Sequence, residues 1–123
     1  MKMIKLWIDD IREMPITFNR HCLNAVDAIA LIRCQSGLID TISFDHDLSD
    51  FKDGEELTWN TVAKYIEQAL YFKEIEFPEQ ITFYIHSSNA AGRKNIKNTL
   101  ENAKRYTDSV FIIKETPYEL FYM

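Results

Sequence analysis

Short blocks of apolar, β-branched and aromatic residues recur along the chain, and most of them end abruptly in charged or hydroxyl residues. Blocks of this kind predict buried strands, here at residues 2–8, 16–21, 39–44, 80–86 and 110–114. The block at 16–21 is weaker and predicts either an edge strand or no strand. The segment before it has no room for a helix, because a parallel crossover that contains one needs about 10–12 residues.

Longer segments, in which apolar residues recur with the spacing of a helix, lie between the later predicted strands. The predicted N-terminal caps of three helices are Asn24, Asp53 (with Glu56 as capping-box partner), and Ser88 or Asn89. The predicted inward faces are Val26, Ile29, Ala30 and Ile32 or Arg33 in the first helix, Trp59, Val62, Ala63, Ile66, Ala69 and Leu70 in the second, and Ile96, Leu100 and Ala103 in the third.

Strands that alternate with helices predict an α/β fold. The chain has 123 residues, which predicts one domain over residues 1–123, and its apolar fraction of 46% is enough for a normal core. We therefore expect a mostly parallel sheet of about five strands flanked by helices, with no helix in the first crossover.

Composition limits which partners the protein is expected to bind and in which cellular compartment it is expected to lie. The net charge of −5 argues against generic binding to nucleic-acid backbones. No stretch approaches the ~18 apolar residues of a membrane span. Cys22 and Cys34 lack metal-ligand spacing, so free thiols in a reducing, cytoplasmic setting are expected.

Two of the predicted strands end in acidic residues. Asp9 and Asp10 follow the first strand, and Asp45, His46 and Asp47 follow the third. The carboxyl ends of parallel strands meet at the edge where open α/β sheets bind ligands. Adjacent carboxylates repel one another unless a cation neutralises them, and hard cations such as Mg²⁺ prefer oxygen ligands. The alternative reading is that both clusters are polar turns, with one aspartate paired to a nearby arginine.

A third polar segment follows the fourth predicted strand and opens a helix, from His86 through Asn89 to Asn95. A helix start offers unpaired N–H groups and a partial positive charge, which suit an anion. Arg93 and Lys94 lie in this first turn, where acidic residues are usual. Basic residues in that place favour a phosphate site, although an Asn-capped helix with solvated basic residues is the alternative.

Together these residues resemble the receiver-domain superfamily. Receivers carry an acidic pair after the first strand, a phosphorylatable Asp after the third, a Ser or Thr after the fourth and a Lys after the fifth. The corresponding residues here are Asp9 with Asp10, Asp45, Ser87 or Ser88, and Lys114. The chain is more similar to the cyclic-phosphate-processing receiver domains, whose patterns DDxR, SFDHDLG and HSxNPxGxxN match residues 9–12, 43–48 and 86–95. Ser49 replaces the usual Gly, and Ala90 replaces the usual Pro.

This resemblance implies a receiver-like (flavodoxin-like) domain whose first crossover helix is lost, and a metal-assisted phosphoesterase for a cyclic phosphate or cyclic nucleotide. The implied ligands of Mg²⁺ or Mn²⁺ are Asp9, Asp10, Asp45 and Asp47. The implied catalytic residues are His46 and His86, as general base and acid, and Asp45. The implied phosphate-binding residues are Arg12, Ser87, Ser88, Asn89, Gly92, Arg93, Asn95 and Lys114.

Two other functions stay open. The same pocket could bind a cyclic nucleotide signal without turnover, as a sponge or sensor in counter-defence, or Asp45 could be the phosphoacceptor of a true receiver. The tail at residues 118–123 is apolar for a terminus, which predicts that it either docks on the domain or forms a homodimer contact.

Overall fold

The computed structural model describes residues 2–45, 50–52, 55–57, 59–87 and 89–122. Of the residues singled out from the sequence, His46, Asp47, Asp53 and Ser88 lie outside the described residues. Within those ranges, no helix has both the length and the apolar run needed to cross a bilayer.

The main sheet contains five parallel strands, which confirms the predicted architecture. The described strands are β1 (Ile4–Ile8), β2 (Arg20–Cys22), β3 (Ile39–Phe44), β4 (Asp50–Lys52), β5 (Glu55–Leu57), β6 (Gln80–Ile85) and β7 (Val110–Glu115). Their order across the main sheet is β2-β1-β3-β6-β7, so β1, β3 and β6 are neighbours at its centre. This order is that of flavodoxin-like folds.

The weak apolar block forms the edge strand β2, although it pairs at Arg20–Cys22 rather than over residues 16–21. Residues 9–19, all of which are described, connect β1 to β2 without a helix, as predicted. Asn19 ties this connection to β1, because its side-chain oxygen accepts a hydrogen bond of 2.9 Å from the N–H of Lys5.

The strands β4 and β5 form a separate antiparallel hairpin that the sequence reading missed. The predicted capping box is wrong, because Glu56 lies in β5 and the helix begins only at Trp59. The sequence contains Asp-Gly at positions 53 and 54, a hairpin signal that competed with the capping-box pattern.

Three α-helices connect the later strands: α1 (Ala25–Gln35), α2 (Trp59–Tyr71) and α3 (Ala90–Ala103). The predicted caps Asn24 and Asn89 are confirmed, since each side chain accepts a hydrogen bond from a backbone N–H three residues later. The predicted inward faces of α2 and α3 are also confirmed, except at Trp59, whose side chain lies outside the described part of the chain. Their buried members are Val62, Ala63, Ile66, Ala69, Leu70, Ile96, Leu100 and Ala103.

The predicted inward face of α1 is partly confirmed. Ile32 is buried and Ile29 packs, partly buried, against the core, as expected. Val26, which is 56% exposed, and Ala30, also exposed, do not belong to this face, and the other buried residues are Ala25, Ala28 and Leu31.

All three helices pack on the same face of the sheet. The helix α2 contacts both α1 and α3, and residues of all three helices share one core with alternate strand residues. Those strand residues are Leu6, Ile8, Ile42, Phe44, Ile81, Phe83, Ile85 and Phe111. Because strand side chains alternate between faces, the intervening residues point to the other side.

That other face carries polar residues and is covered in part by the tail. Lys5 pairs with Asp40 there at 3.0 Å. Residues Tyr118–Tyr122 form a 3₁₀-helix, in which Phe121 packs edge-on against Trp7 at 5.3 Å between ring centroids. The tail therefore docks on its own domain, which confirms the first of the two alternatives, and the homodimer stays a prediction.

The face of α1 can be tested by a pair of truncations. Ile32→Ala should lower the free energy of unfolding by about 2–5 kcal/mol, because it empties a buried site. Val26→Ala removes an exposed side chain and should change it by less than about 0.5 kcal/mol. Urea denaturation measures both, and a larger loss for Val26→Ala would contradict the observed packing.

Candidate functional site

Three neighbouring strands deliver their C-terminal residues to one place. Asp9 follows β1, Asp45 follows β3 and His86 follows β6. Backbone hydrogen bonds continue past the strand ends, from the Asp45 N–H to the Ile8 carbonyl (3.1 Å) and from the His86 N–H to the Phe44 carbonyl (2.9 Å). The strand pairing thus sets the positions of these side chains.

The predicted acidic residues do form a cluster. Asp9, Asp10 and Asp45 each offer a carboxylate oxygen, and these oxygens all lie within 4.8 Å of one another. Asp9 is fully buried and Asp45 is 2% exposed. The Arg12 guanidinium lies 3.6 Å from Asp9 and 3.4 Å from Asp45, so it pairs with two of the three carboxylates. An all-oxygen donor set fits Mg²⁺ or Mn²⁺.

Asp9 is held by hydrogen bonds to both of its side-chain oxygens. Oδ1 accepts from the N–H groups of Ile11 and Arg12, each at 2.8 Å, and Oδ2 lies 3.0 Å from Nε2 of His86. Burial by itself raises the pKa of Asp9, but the hydrogen bonds from His86 and these N–H groups outweigh burial and lower the pKa below its ordinary value of 3.8. Asp9 is therefore ionised at neutral pH.

His86 is buried, and its two ring nitrogens and one face of its ring contact other side chains. Its Nδ1 lies 2.7 Å from the Ser43 hydroxyl, and its ring stacks on Trp7 at 4.0 Å with an interplanar angle of 8°. It is only 2% exposed. Burial lowers the pKa of His86 below its ordinary value of 6.5, against the opposing effect of Asp9. His86 is therefore neutral at neutral pH, and both of its nitrogens are engaged.

A cavity of about 360 Å³ opens beside this cluster. Its lining residues are Arg12, His86, Ser87, Arg93, Glu115, Pro117, Tyr118 and Glu119. Two guanidinium groups in one cavity next to a helix start suit a phosphate. The three aspartates do not line this cavity themselves, and Arg12 and His86 connect it to them. A larger cavity of about 630 Å³ is lined by Leu70, Tyr71, Lys73, Ile75, Glu76 and residues 105–109, away from those three aspartates.

The start of α3 differs from the simple anion site that the sequence suggested. Asn89 caps the helix by accepting from Gly92 N–H at 2.9 Å, and Ser87 Oγ accepts from Asn89 N–H at 3.0 Å. The Arg93 side chain turns back, donates to the Ser87 carbonyl at 2.9 Å and lies 3.6 Å from Glu115. The arginine thereby reaches the cavity wall although it belongs to the first helical turn.

Four described residues that were predicted to bind the ligand do not line this cavity: Asn89, Gly92, Asn95 and Lys114. Lys114 is exposed, and its ammonium lies 5.8 Å from the centre of the Tyr84 ring on the sheet face opposite the helices. Asn95 is exposed on α3, where its carbonyl accepts from Thr99. His46, Asp47 and Ser88 lie outside the described residues.

The structure adds residues that the sequence reading did not assign to the site. Ser43 and Trp7 contact His86 from within the sheet, and Tyr118 lies under Arg12 at 5.5 Å. The hydroxyl oxygens of Tyr118 and Tyr122 each lie 3.1 Å from the Glu13 carbonyl and 2.9 Å from each other. The hydrogen bond with Tyr122 is the main cause that raises the pKa of Tyr118 to about 12. In the sequence, the apolar character of the tail was the one indication that these residues would lie against the domain.

A flavodoxin-like parallel sheet with an acidic cluster at its carboxyl edge defines a receiver-like domain. The model of the cyclic-phosphate processing receiver domain family matches residues 4–102. The chain therefore belongs to this family. The matched range includes Asp9, Asp45 and His86 and ends before β7 and the tail. Searches of curated proteins and of solved structures gave no match.

The buried neutral state of His86 predicts a pH-dependent contribution to stability. Because the pKa is lower in the folded protein, the unfolded chain binds a proton first as the pH falls through about 6.5. The free-energy penalty of His86→Asn, measured by urea denaturation in EDTA, should therefore be largest at pH 7.5 and shrink towards pH 5.5. A penalty that grows on acidification would contradict a neutral buried His86.

Proposed function

We propose that the chain is a metal-assisted phosphoesterase that opens a cyclic phosphate or cyclic nucleotide. One observation carries the proposal: three carboxylates within 4.8 Å of one another adjoin a cavity that Arg12 and Arg93 line. Membership of the cyclic-phosphate processing family supports the same substrate class.

The carboxylates suit a divalent cation, with Asp9, Asp10 and Asp45 as its protein ligands. Bound Mg²⁺ or Mn²⁺ would neutralise phosphate charge and lower the pKa of a coordinated water. Oδ1 of Asp9 accepts from two N–H groups and Oδ2 accepts one hydrogen bond from His86, so Oδ2 is the oxygen with a lone pair left for a cation. Asp47 stays a prediction from the sequence as a fourth ligand.

The phosphate would be held by charge-assisted hydrogen bonds. Arg12 and Arg93 present guanidinium groups to the cavity, and each guanidinium has five N–H donors, more than its described contacts use. The Ser87 hydroxyl lies at the same wall. Glu115 holds Arg93 at 3.6 Å and would limit how far that arginine moves towards the ligand.

Ring opening forms a P–O bond from water and breaks one ester P–O bond, while a proton passes from the water to the departing alkoxide. A residue that moves this proton needs a free nitrogen or oxygen within hydrogen-bond reach. His86 has both nitrogens engaged, so we assign it to holding Asp9. His46, directly after Asp45 in the sequence, stays the proposed general acid–base residue.

The engaged nitrogens of His86 also favour a second candidate, a module that binds a cyclic nucleotide signal without turnover. The position of Lys114 over Tyr84 weighs against the third candidate, a phosphoacceptor receiver that uses Asp45, because receivers need that lysine at the acidic site.

One assay separates the three candidates. The purified protein is incubated with 2′,3′-cyclic mononucleotides and cyclic di- and trinucleotides in Mg²⁺, Mn²⁺ or EDTA, and products are read by mass spectrometry. Metal-dependent ring opening is the expected result. A ligand that is depleted and returns intact on heating would support the binding module. No effect on any nucleotide, together with acetyl-phosphate labelling that Asp45→Asn abolishes, would support the phosphoacceptor.

Removing one ligand should remove the cation. Asp45→Asn is expected to weaken Mn²⁺ binding at least about tenfold and to abolish metal-dependent turnover, because a charged oxygen donor is lost. Titration followed by electron paramagnetic resonance measures Mn²⁺ affinity directly. Asp108→Asn is the matched control, since it removes an exposed carboxylate far from the cluster and should leave both quantities unchanged. Equal affinities in the two variants would exclude Asp45 as a ligand.

The two arginines should affect substrate and cation differently. Arg12→Gln and Arg93→Gln each lose a charge-assisted bond of about 1.5–3 kcal/mol, so KM should rise about 10- to 150-fold. Mn²⁺ affinity should not fall in Arg12→Gln, because this arginine competes with the cation for Asp9 and Asp45. Arg105→Gln, at the opposite edge, is the control with unchanged KM. A loss of Mn²⁺ affinity without a change in KM would contradict the phosphate-binding assignment.

A further inference from the structure

Ser43, His86 and Asp9 form a continuous chain of side chains inside the sheet. The Ser43 hydroxyl lies 2.7 Å from His86 Nδ1, and His86 Nε2 lies 3.0 Å from Asp9 Oδ2. Serine, histidine and aspartate are also the residue types of a hydrolase triad, in which the serine faces the substrate. Here the order is the opposite, because the serine is the interior member. The carboxylate, not the serine, is the member that borders the acidic cluster.

Burial excludes Ser43 as a nucleophile. It is 0% exposed in the interior of β3, where it is in register with Trp7 of β1 and Tyr84 of β6. A nucleophile must reach the substrate, and no substrate atom can approach a side chain that is covered on both sides by neighbouring strands. The serine therefore acts on His86 and not on a ligand.

For a neutral imidazole, the protons in the chain have one consistent arrangement. Asp9 accepts two backbone N–H groups on Oδ1 and lies beside Arg12, so it is a carboxylate and can only accept a hydrogen bond from His86. The proton of the neutral imidazole is then on Nε2. Nδ1 carries a lone pair, and the hydroxyl of Ser43 must donate to it.

Trp7 fixes the plane of the same ring. The two rings are parallel within 8° at 4.0 Å, and the indole N–H of Trp7 lies 3.4 Å from the Arg12 carbonyl. The tryptophan thus connects the imidazole to the turn in which Ile11 and Arg12 bind Asp9. Rotation of His86 would break the contact with Ser43, the stack on Trp7 and the bond to Asp9 together.

We infer that Ser43 is a positioning residue, which together with Trp7 keeps His86 as an Nε2–H donor and thereby orients Asp9 Oδ2 towards the cation site. Only the final clause, that the oriented oxygen serves a cation, rests on the proposed function. For the neutral, buried ring, the tautomer of His86 and its dependence on Ser43 follow from the hydrogen-bond geometry and involve no cation. Partners of this kind beyond the direct ligands commonly change metal affinity about 10- to 100-fold when mutated.

The tautomer is tested first, on the full ¹⁵N-labelled chain without metal, by long-range ¹H–¹⁵N correlation at pH 7.5. His86→Asn assigns the signals of His86 among the three histidines. The expected result is a protonated Nε2 and an unprotonated Nδ1 shifted by an accepted hydrogen bond. A protonated Nδ1 in the wild type would overturn the inference, and this measurement needs no variant of Ser43 to fold.

The positioning role is tested by Mn²⁺ affinity of the folded Ser43→Ala protein. We expect Nδ1 to move to the shift of an unbonded ring nitrogen and Mn²⁺ affinity to fall severalfold, less than in His86→Asn. Ser43→Thr restores the hydroxyl and should recover much of both. An Ala variant that is less stable but binds Mn²⁺ like the wild type would reduce Ser43 to a packing residue and overturn the inference.

Neither measurement uses turnover. If the nucleotide panel gives no reaction while the tautomer and the Mn²⁺ effect are found, the proposed phosphoesterase fails and the positioning role stands. If ring opening occurs and Ser43→Ala leaves Mn²⁺ affinity unchanged, the proposed phosphoesterase stands and the positioning role fails.

Discussion

The parallel pairing of β1, β3 and β6 is the constraint on which the site depends. Trp7, Ser43 and Tyr84 lie side by side in register on these strands. Side chains of a strand alternate between faces, so the residues two positions further on, Asp9, Asp45 and His86, leave the sheet on that same side. A slip of one residue in β3 would turn Ser43 and Asp45 into the core beneath the helices. The hydrophobic pattern of β3, with Ile42 and Phe44 fully buried, opposes that slip and so protects the site.

The electrostatics of the site follow from this burial. Three carboxylates close together are unfavourable in a region with little solvent, and among the described contacts Arg12, two N–H groups and neutral His86 offset part of their charge. Breaking a buried, paired charge by removing one partner commonly costs about 3–5 kcal/mol, so these contacts are structural as well as chemical.

Coverage of the sheet is unequal, and the site lies on the less covered side. The helices α1, α2 and α3 share one core on one face, whereas the described part of the other face is covered by the 3₁₀-helix Tyr118–Tyr122. The tail contributes Tyr118 to the cavity and places Phe121 against Trp7. Without a helix after β1, the connection that carries Asp10 and Arg12 is free to form part of the site.

The sequence by itself determined the strands that build the centre of the sheet, the amphipathic faces of α2 and α3, both Asn caps and the acidic residues at the strand ends. These signals are local, because period, capping and a sharp change from apolar to polar residues are all contained within a few positions. The hairpin β4–β5 was missed because a turn signal competed with a capping pattern, and the face of α1 was only partly predicted, since Ile29 and Ile32 face the core but Val26 and Ala30 do not. Only the tertiary structure decided that Ser43 and Trp7 belong to the site, that both nitrogens of His86 are engaged and that Lys114 lies elsewhere. Those facts depend on strand order, on register and on a tail that returns from far along the chain, and no local pattern encodes such distances.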